Sequence, residues 1–158
     1  MGAVTAAVGV HEVPRASLAA VPVAAPGYAD EFALELDVPP RASAESWARA
    51  MFGDIPDTGE RVIFRGLLRL RLEPGPSPDV VAGFVVAERN HETIRLEAHS
   101  PFLTCHLLVR THALHVTLTT VMDYTGRAGP VVWSPLSMAH RRLAPGLLRD
   151  AQEKLSSP

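Results

Sequence analysis

The chain has almost no cysteine: Cys105 stands alone among 158 residues. An internal disulfide is therefore impossible, and so is a metal site built from clustered thiolates. A reducing, cytoplasmic location is the expectation that fits this. Charge of one sign is equally scarce, with 15 basic residues against 17 acidic ones and a net charge of −2. Such a balance gives no electrostatic footprint for nucleic acid or an anionic membrane surface. Lysine is reduced to Lys154, a bias that fits a GC-rich genome better than a binding device. No apolar run approaches the roughly 20 residues of a membrane span. The apolar N-terminus "MGAVTAAVGVHEVPRASLAAVPVAAPG" lacks a basic leading region, and His11, Glu12, Pro14 and Arg15 interrupt it, so a signal peptide is not expected. Glycine-rich phosphate loops and HExxH spacings are also missing, and neither a cofactor nor a metal is expected.

What is present is an ordinary globular composition, 47% hydrophobic and 20% charged, in a length suited to one domain. Residues 1–29 are rich in Pro, Ala and Val without a clear period and read as an extended arm over that single 1–158 domain. "DEFALELDV" alternates, with Phe32, Leu34 and Leu36 on one side and Glu31, Ala33, Glu35 and Asp37 on the other, as a half-buried strand does. Ser43 then caps a helix whose apolar stripe is Ala44, Trp47, Ala48, Met51 and Phe52, and Gly53 ends it. The stretch 61–72 is ambiguous between helix and strand. The pattern before Gly66 favours a helix through about Leu70, with Arg61, Arg65 and Arg69 in a row that reads as a solvated face.

Four strand-like runs follow: "VVAGFVVAE", "ETIRLEAH", "FLTCHLLVRT" and "HVTLTTVMDY". The turns between them are short enough for antiparallel hairpins. Alternation puts Leu103, Cys105, Leu107 and Val109 on one face, continued by Val116, Leu118, Thr120, Met122 and Tyr124. His106 shares the opposite, polar face with Thr104, Arg110 and His112, and is expected to be solvated or dimer-facing. Cys105 and His106, pointing to opposite faces, cannot form a dyad. After the breaker "TGRAGP" a helix is expected from about Pro135. Its buried stripe would hold Leu136, His140, Leu143, Leu147, Ala151 and Leu155.

The order of strand, helices, meandering strands and one long terminal helix predicts an α+β fold, a curved antiparallel sheet wrapped around the C-terminal helix. Short motifs carry a further likeness: "VPRASLAAV", "GYADEFALEL", "SWARAMFG" and "MAHRRLAPGLLRDA", spread over most of residues 14–152. In these the chain resembles the START-like (polyketide cyclase and lipid-transport) superfamily with its helix-grip fold, and within it an uncharacterised bacterial branch. In the branch's C-terminal motif His140 and Arg141 match, while Met138 replaces a proline. The resemblance implies a pocket between sheet and helix for a small hydrophobic or polyketide-like molecule. It also implies either a cofactor-free cyclase or isomerase, or a carrier or sensor without catalysis.

The residues themselves nominate Phe32, Leu96, Leu103, Cys105, Leu107, Leu118, Thr120, Met122, Leu136 and Leu143 as lining for such a ligand. Ala98, Cys105, Thr120 and Gly83 are small enough to leave room. His140 is the candidate acid–base, since imidazole titrates nearest neutrality, and Tyr124 its hydrogen-bonding partner or oxyanion donor. The competing reading of His140 is a core histidine that donates to a backbone carbonyl freed by Pro145. A third reading of the whole chain has a filled core and a homodimer formed through the polar sheet face.

Overall fold

The computed structural model describes residues 2–53 and 68–157. These form a seven-stranded, entirely antiparallel curved sheet with one long C-terminal helix, an α+β architecture. The strands are β1 (Val4–Val8), β2 (Tyr28–Glu35), β3 (Val80–Val81), β4 (Phe84–Arg89), β5 (Thr93–His99), β6 (Leu103–Thr111) and β7 (His115–Tyr124). The helices are α1 (Arg15–Ala19), α2 (Ala44–Phe52) and α3 (Ala128–Ser156). Sheet order is β1-β2-β7-β6-β5-β4-β3, so the strand before α2 pairs with the strand before α3.

The expected alternation sets the register of the central strands. Cys105 lies opposite Met122, Leu107 opposite Thr120 and Val109 opposite Leu118, while Phe32 also faces Leu118 from the other side. One face of the sheet therefore gathers Phe32, Leu34, Ile94, Leu96, Leu103, Cys105, Leu107, Val109, Leu118 and Met122 into a single core with Trp47 and Met51 of α2 and Trp133, Ala144 and Leu148 of α3. Helix α2 forms as its sequence predicts. Ser43 Oγ accepts from the Ser46 N–H at 3.1 Å, and Gly53 closes the helix at φ 75, where a side chain would be strained.

Four local expectations are corrected. The N-terminal 1–29 segment is not simply extended: Val4–Val8 pairs along β2, with Ala6 opposite Phe32, and α1 packs on the outer sheet face. There Val13 and Val21 cover Ala29, Leu108 and Val121 in a second small core. "VVAGFVVAE" is a hairpin rather than one strand, because Ala82 and Gly83 both take positive φ (50° and 86°), the backbone of a two-residue turn. Gly83 is thus a turn residue against Leu72 rather than a source of cavity space. Residues 68–72 are not helical: Leu68, Leu70 and Leu72 are buried between exposed Arg69 and Arg71, an alternation in which Arg69 takes a positive φ of 52°. Arg61 and Arg65 lie outside the described residues.

The terminal helix also differs. It starts at Ala128 rather than near Pro135, since Pro130 falls in the first turn, where a missing N–H is not needed. Its buried side is Gly129, Trp133, Ser137, Ala144, Leu148 and Ala151, with His140 half-buried among them. Leu143, assigned to ligand lining, instead points outward at 59% exposure, and Leu155 is also exposed. Leu136 is half-buried against the core. Small residues let the helix approach the sheet, so alanine and serine occupy the contact line and two of the leucines fall to its flank.

Candidate functional site

The core face is apolar except at one place. On β2, Tyr28 and Asp30 share the side of Phe32 and Leu34, because residues two apart point the same way. Asp30 is completely buried. The Tyr28 hydroxyl donates to its Oδ2 at 2.5 Å. From α3, His140 Nε2 reaches the same carboxylate, 3.1 Å from Oδ2 and 3.3 Å from Oδ1. Thr120 Oγ1, opposite Asp30 in the β2–β7 ladder, lies 3.2 Å from that nitrogen. A carboxylate accepts only, so Nε2 carries the proton and Nδ1 is left as the basic atom. Nδ1 has no hydrogen-bond partner among the described residues, and the His140 side chain keeps 19% of its surface.

Aromatic rings frame the imidazole. Trp133 sits 5.5 Å from it in a tilted arrangement and Phe32 6.3 Å from it edge-on, while Tyr28 meets Trp133 edge-on at 5.4 Å. This apolar frame raises the acidity threshold of its neighbours. Burial, the Asp30 charge and the bond to Asp30 push the Tyr28 phenol far above its ordinary value, so Tyr28 stays a donor. Burial first, and the Asp30 charge second, also push the Cys105 thiol well up, making it an inert core residue.

The structure brings together only part of the expected site. His140 and Thr120 meet, and Phe32, Leu96, Leu103, Cys105, Leu107, Leu118 and Met122 are all buried on the same face. Tyr124 is not the partner of His140. Its ring is wedged between Gly27 and Gly129, where an added Cβ would fall 2.0 Å and 2.6 Å from ring carbons. The tyrosine of the cluster is Tyr28, which bonds Asp30 rather than His140. The alternative in which His140 donates to a backbone carbonyl is also overturned, since Nε2 faces a carboxylate. Asp30 was missed although its parity with Phe32 and Leu34 announces it: an acidic residue at an inward position of a strand needs a partner inside.

The other histidines stand apart from this cluster. His106 is buried, not solvated: its Nδ1 lies 3.2 Å from the Arg95 guanidinium, which also holds Glu97 at 2.6 Å. Burial pushes His106 below its ordinary value, and a neutral ring can accept from Arg95. His112 and His115 stack in parallel at 4.2 Å in the β6–β7 turn. Among the described residues no three histidine, cysteine or carboxylate side chains gather as metal ligands.

Two clefts open elsewhere. One of about 720 Å³ lies between the segment after β2 and the last turns of α3. The other, about 350 Å³, is lined by Arg71, Glu73, Val85, Ala87, Glu97, Ala98 and His99. Neither has Asp30, Thr120 or His140 in its walls. No described helix is long and apolar enough to cross a membrane. Comparison with protein families, with characterised proteins and with solved structures finds no match for the chain.

Proposed function

We propose that the chain is a START-like helix-grip protein that binds a small hydrophobic molecule at the seam between sheet and α3, with His140 as its general acid–base. The observation that carries this reading is the pairing of a partly open imidazole with a fully buried carboxylate on an otherwise apolar face. Apolar packing alone would be served as well or better by hydrophobic residues of the same volume, because taking a carboxylate out of water is costly even when it is paired. Asp30 holds the Nε2–H tautomer and would stabilise the imidazolium formed when Nδ1 takes a proton. Trp133 and Phe32 supply apolar walls beside it, as small-molecule sites commonly do. The chemistry this suits is cofactor-free proton transfer at carbon next to a carbonyl, as in a cyclase or isomerase of a polyketide-like compound.

Binding is tested by titrating the native chain with apolar aryl ketones while following the His140 ring by NMR and the melting temperature. Saturable movement of the His140 signals with a rise in melting temperature is expected, because a ligand that binds only the folded state stabilises it. A panel that moves neither would sink the proposal. The second reading is a carrier with the same site and no turnover. It is favoured by the engagement of Nε2 with both Asp30 and Thr120, which also serves to fix a ring as a passive donor. Binding without any rate would select it.

A further inference from the structure

We infer that the molecule held at the seam is a keto carboxylate, with Arg141 as the residue that binds its carboxylate; this rests on the reading of His140 given above. Trp133, Ser137 and Arg141 follow one another at steps of four along α3, and His140 lies beside the last two, so all four share one side of the helix. Side chains on a helix lean toward its N-terminus. Arg141 does so: its Nε donates to the Ser137 carbonyl at 3.2 Å and its Nη2 to the Ser137 hydroxyl at 3.4 Å. That hydroxyl donates to the Ser134 carbonyl at 2.6 Å, which turns its oxygen lone pairs to the arginine. Ser137 is buried between Trp133 and His140. The guanidinium is thus tied to the turn that carries the aromatic frame, and its charge is felt at the Tyr28 phenol.

Both acceptors of Arg141 are neutral, although the residue is half-buried. No carboxylate among the described residues pairs with it. Asp30, the buried carboxylate of the cluster, has both oxygens engaged by Tyr28 and His140. A cation drawn partly out of water is costly unless an anion meets it. Nη1 has no partner among the described residues, and it remains open beside Nη2. A guanidinium takes a carboxylate through two such parallel bonds. Unlike the Asp30 carboxylate, the guanidinium keeps accessible surface, so a molecule at the seam can reach it. Arg141 and His140 are consecutive. The bound carboxylate therefore stands only a few carbons from the C–H whose proton Nδ1 would take, with the electron pair left on the enolate oxygen. A short keto acid with an apolar tail against Trp133 and Phe32 meets these demands.

The test compares 3-benzoylpropionate with butyrophenone, which has a methyl group in place of the carboxylate, by NMR titration of ¹⁵N-labelled native chain. Both are expected to move the His140 ring signals, the keto acid at about tenfold lower concentration, as a charge-assisted bond provides. The Arg141 guanidinium signals should move with the keto acid and not with butyrophenone. Arg141→Gln is expected to abolish the advantage of the keto acid while leaving butyrophenone binding unchanged. Arg142→Gln, which removes the same charge from an exposed neighbour, should preserve that advantage. Equal affinities in the native chain, still Arg141 signals, or an advantage lost equally in both variants would overturn the assignment and leave the seam reading standing. Were neither ligand to move the His140 signals, the seam reading would fail and this inference with it.

Discussion

Asp30 and Glu31 are neighbours on one strand and both are buried, yet they are held in opposite ways. Glu31 faces the outer side, beneath α1, where the hydroxyls of Ser17 and Thr119 donate to it and Arg110 donates to Ser17 at 2.5 Å. Asp30 faces the core, where its partners are a phenol and an imidazole. Hydroxyls keep their protons at any ordinary pH, so the Glu31 cluster is a fixed clasp that ties the N-terminal segment to the sheet. The imidazole has one nitrogen tied to Asp30 and keeps the other open, so the Asp30 cluster can pass a proton on. Burial of a carboxylate is thus common to a structural and a functional arrangement. The partner tells them apart.

The sharpest break is His140→Ala. It leaves Asp30 buried with the Tyr28 bond only, and a loss of about 3 kcal/mol in urea unfolding is expected, since removing one partner of a buried pair strands the other charge. His140→Gln, which can still donate an N–H toward Asp30, is expected to restore most of that loss. Glu31→Gln should cost less, about 1 kcal/mol, because both hydroxyls still find an oxygen to donate to. Equal losses for His140→Ala and Glu31→Gln would erase the distinction between the two clusters.

Acid provides a third contrast, away from both carboxylates. Burial holds His106 and His112 below the ordinary histidine value of 6.5, so each is neutral when folded and more readily protonated when unfolded. Their contribution is complete above that value and is lost as pH falls through it toward the depressed folded values. Burial works against the charge of Glu97, but the Arg95 bond and the Arg95 and His99 charges beside it hold its carboxyl below 4.5. Its contribution persists to lower pH and disappears only as pH falls through that folded value. Melting temperature should therefore drop in two stages on acidification, and His106→Gln should reduce the upper one. A flat profile between pH 7.5 and 5.5 would contradict the buried, neutral His106. The smallest effect concerns Cys105: a thiol reagent should label it only after denaturation, since burial keeps the thiolate from forming.

The sheet was largely legible beforehand. Alternation assigns β5 to β7 and the faces of Cys105, Thr120 and Met122, because the main core takes one parity of each strand and a slip of one residue would replace it with the other. Ser43 and Gly53 likewise bound α2. The N-terminal strand was not legible, since "VTAAV" has no contrast between its two sides and is recruited by the edge of β2. Leucine spacing misplaces the buried side of α3, because the contact line prefers residues small enough for close approach, such as Ala144 and Ser137. His140 was legible from its place in that helix. Its partner was not, because Tyr124 lies on the strand that leads into the helix, while the bond is made from β2, 110 residues earlier.

The central claim is that His140, tied to Asp30, moves a proton on a bound apolar molecule. It is tested most directly by the rate at which the chain catalyses deuterium exchange from heavy water into the α-position of an apolar aryl ketone. The native chain should accelerate exchange, and folded His140→Gln should lose about a hundredfold of that rate, the usual contribution of a positioned acid–base, with ketone binding retained. Equal exchange rates for native and His140→Gln chains would contradict the claim and leave the Asp30–His140 pair as part of the core.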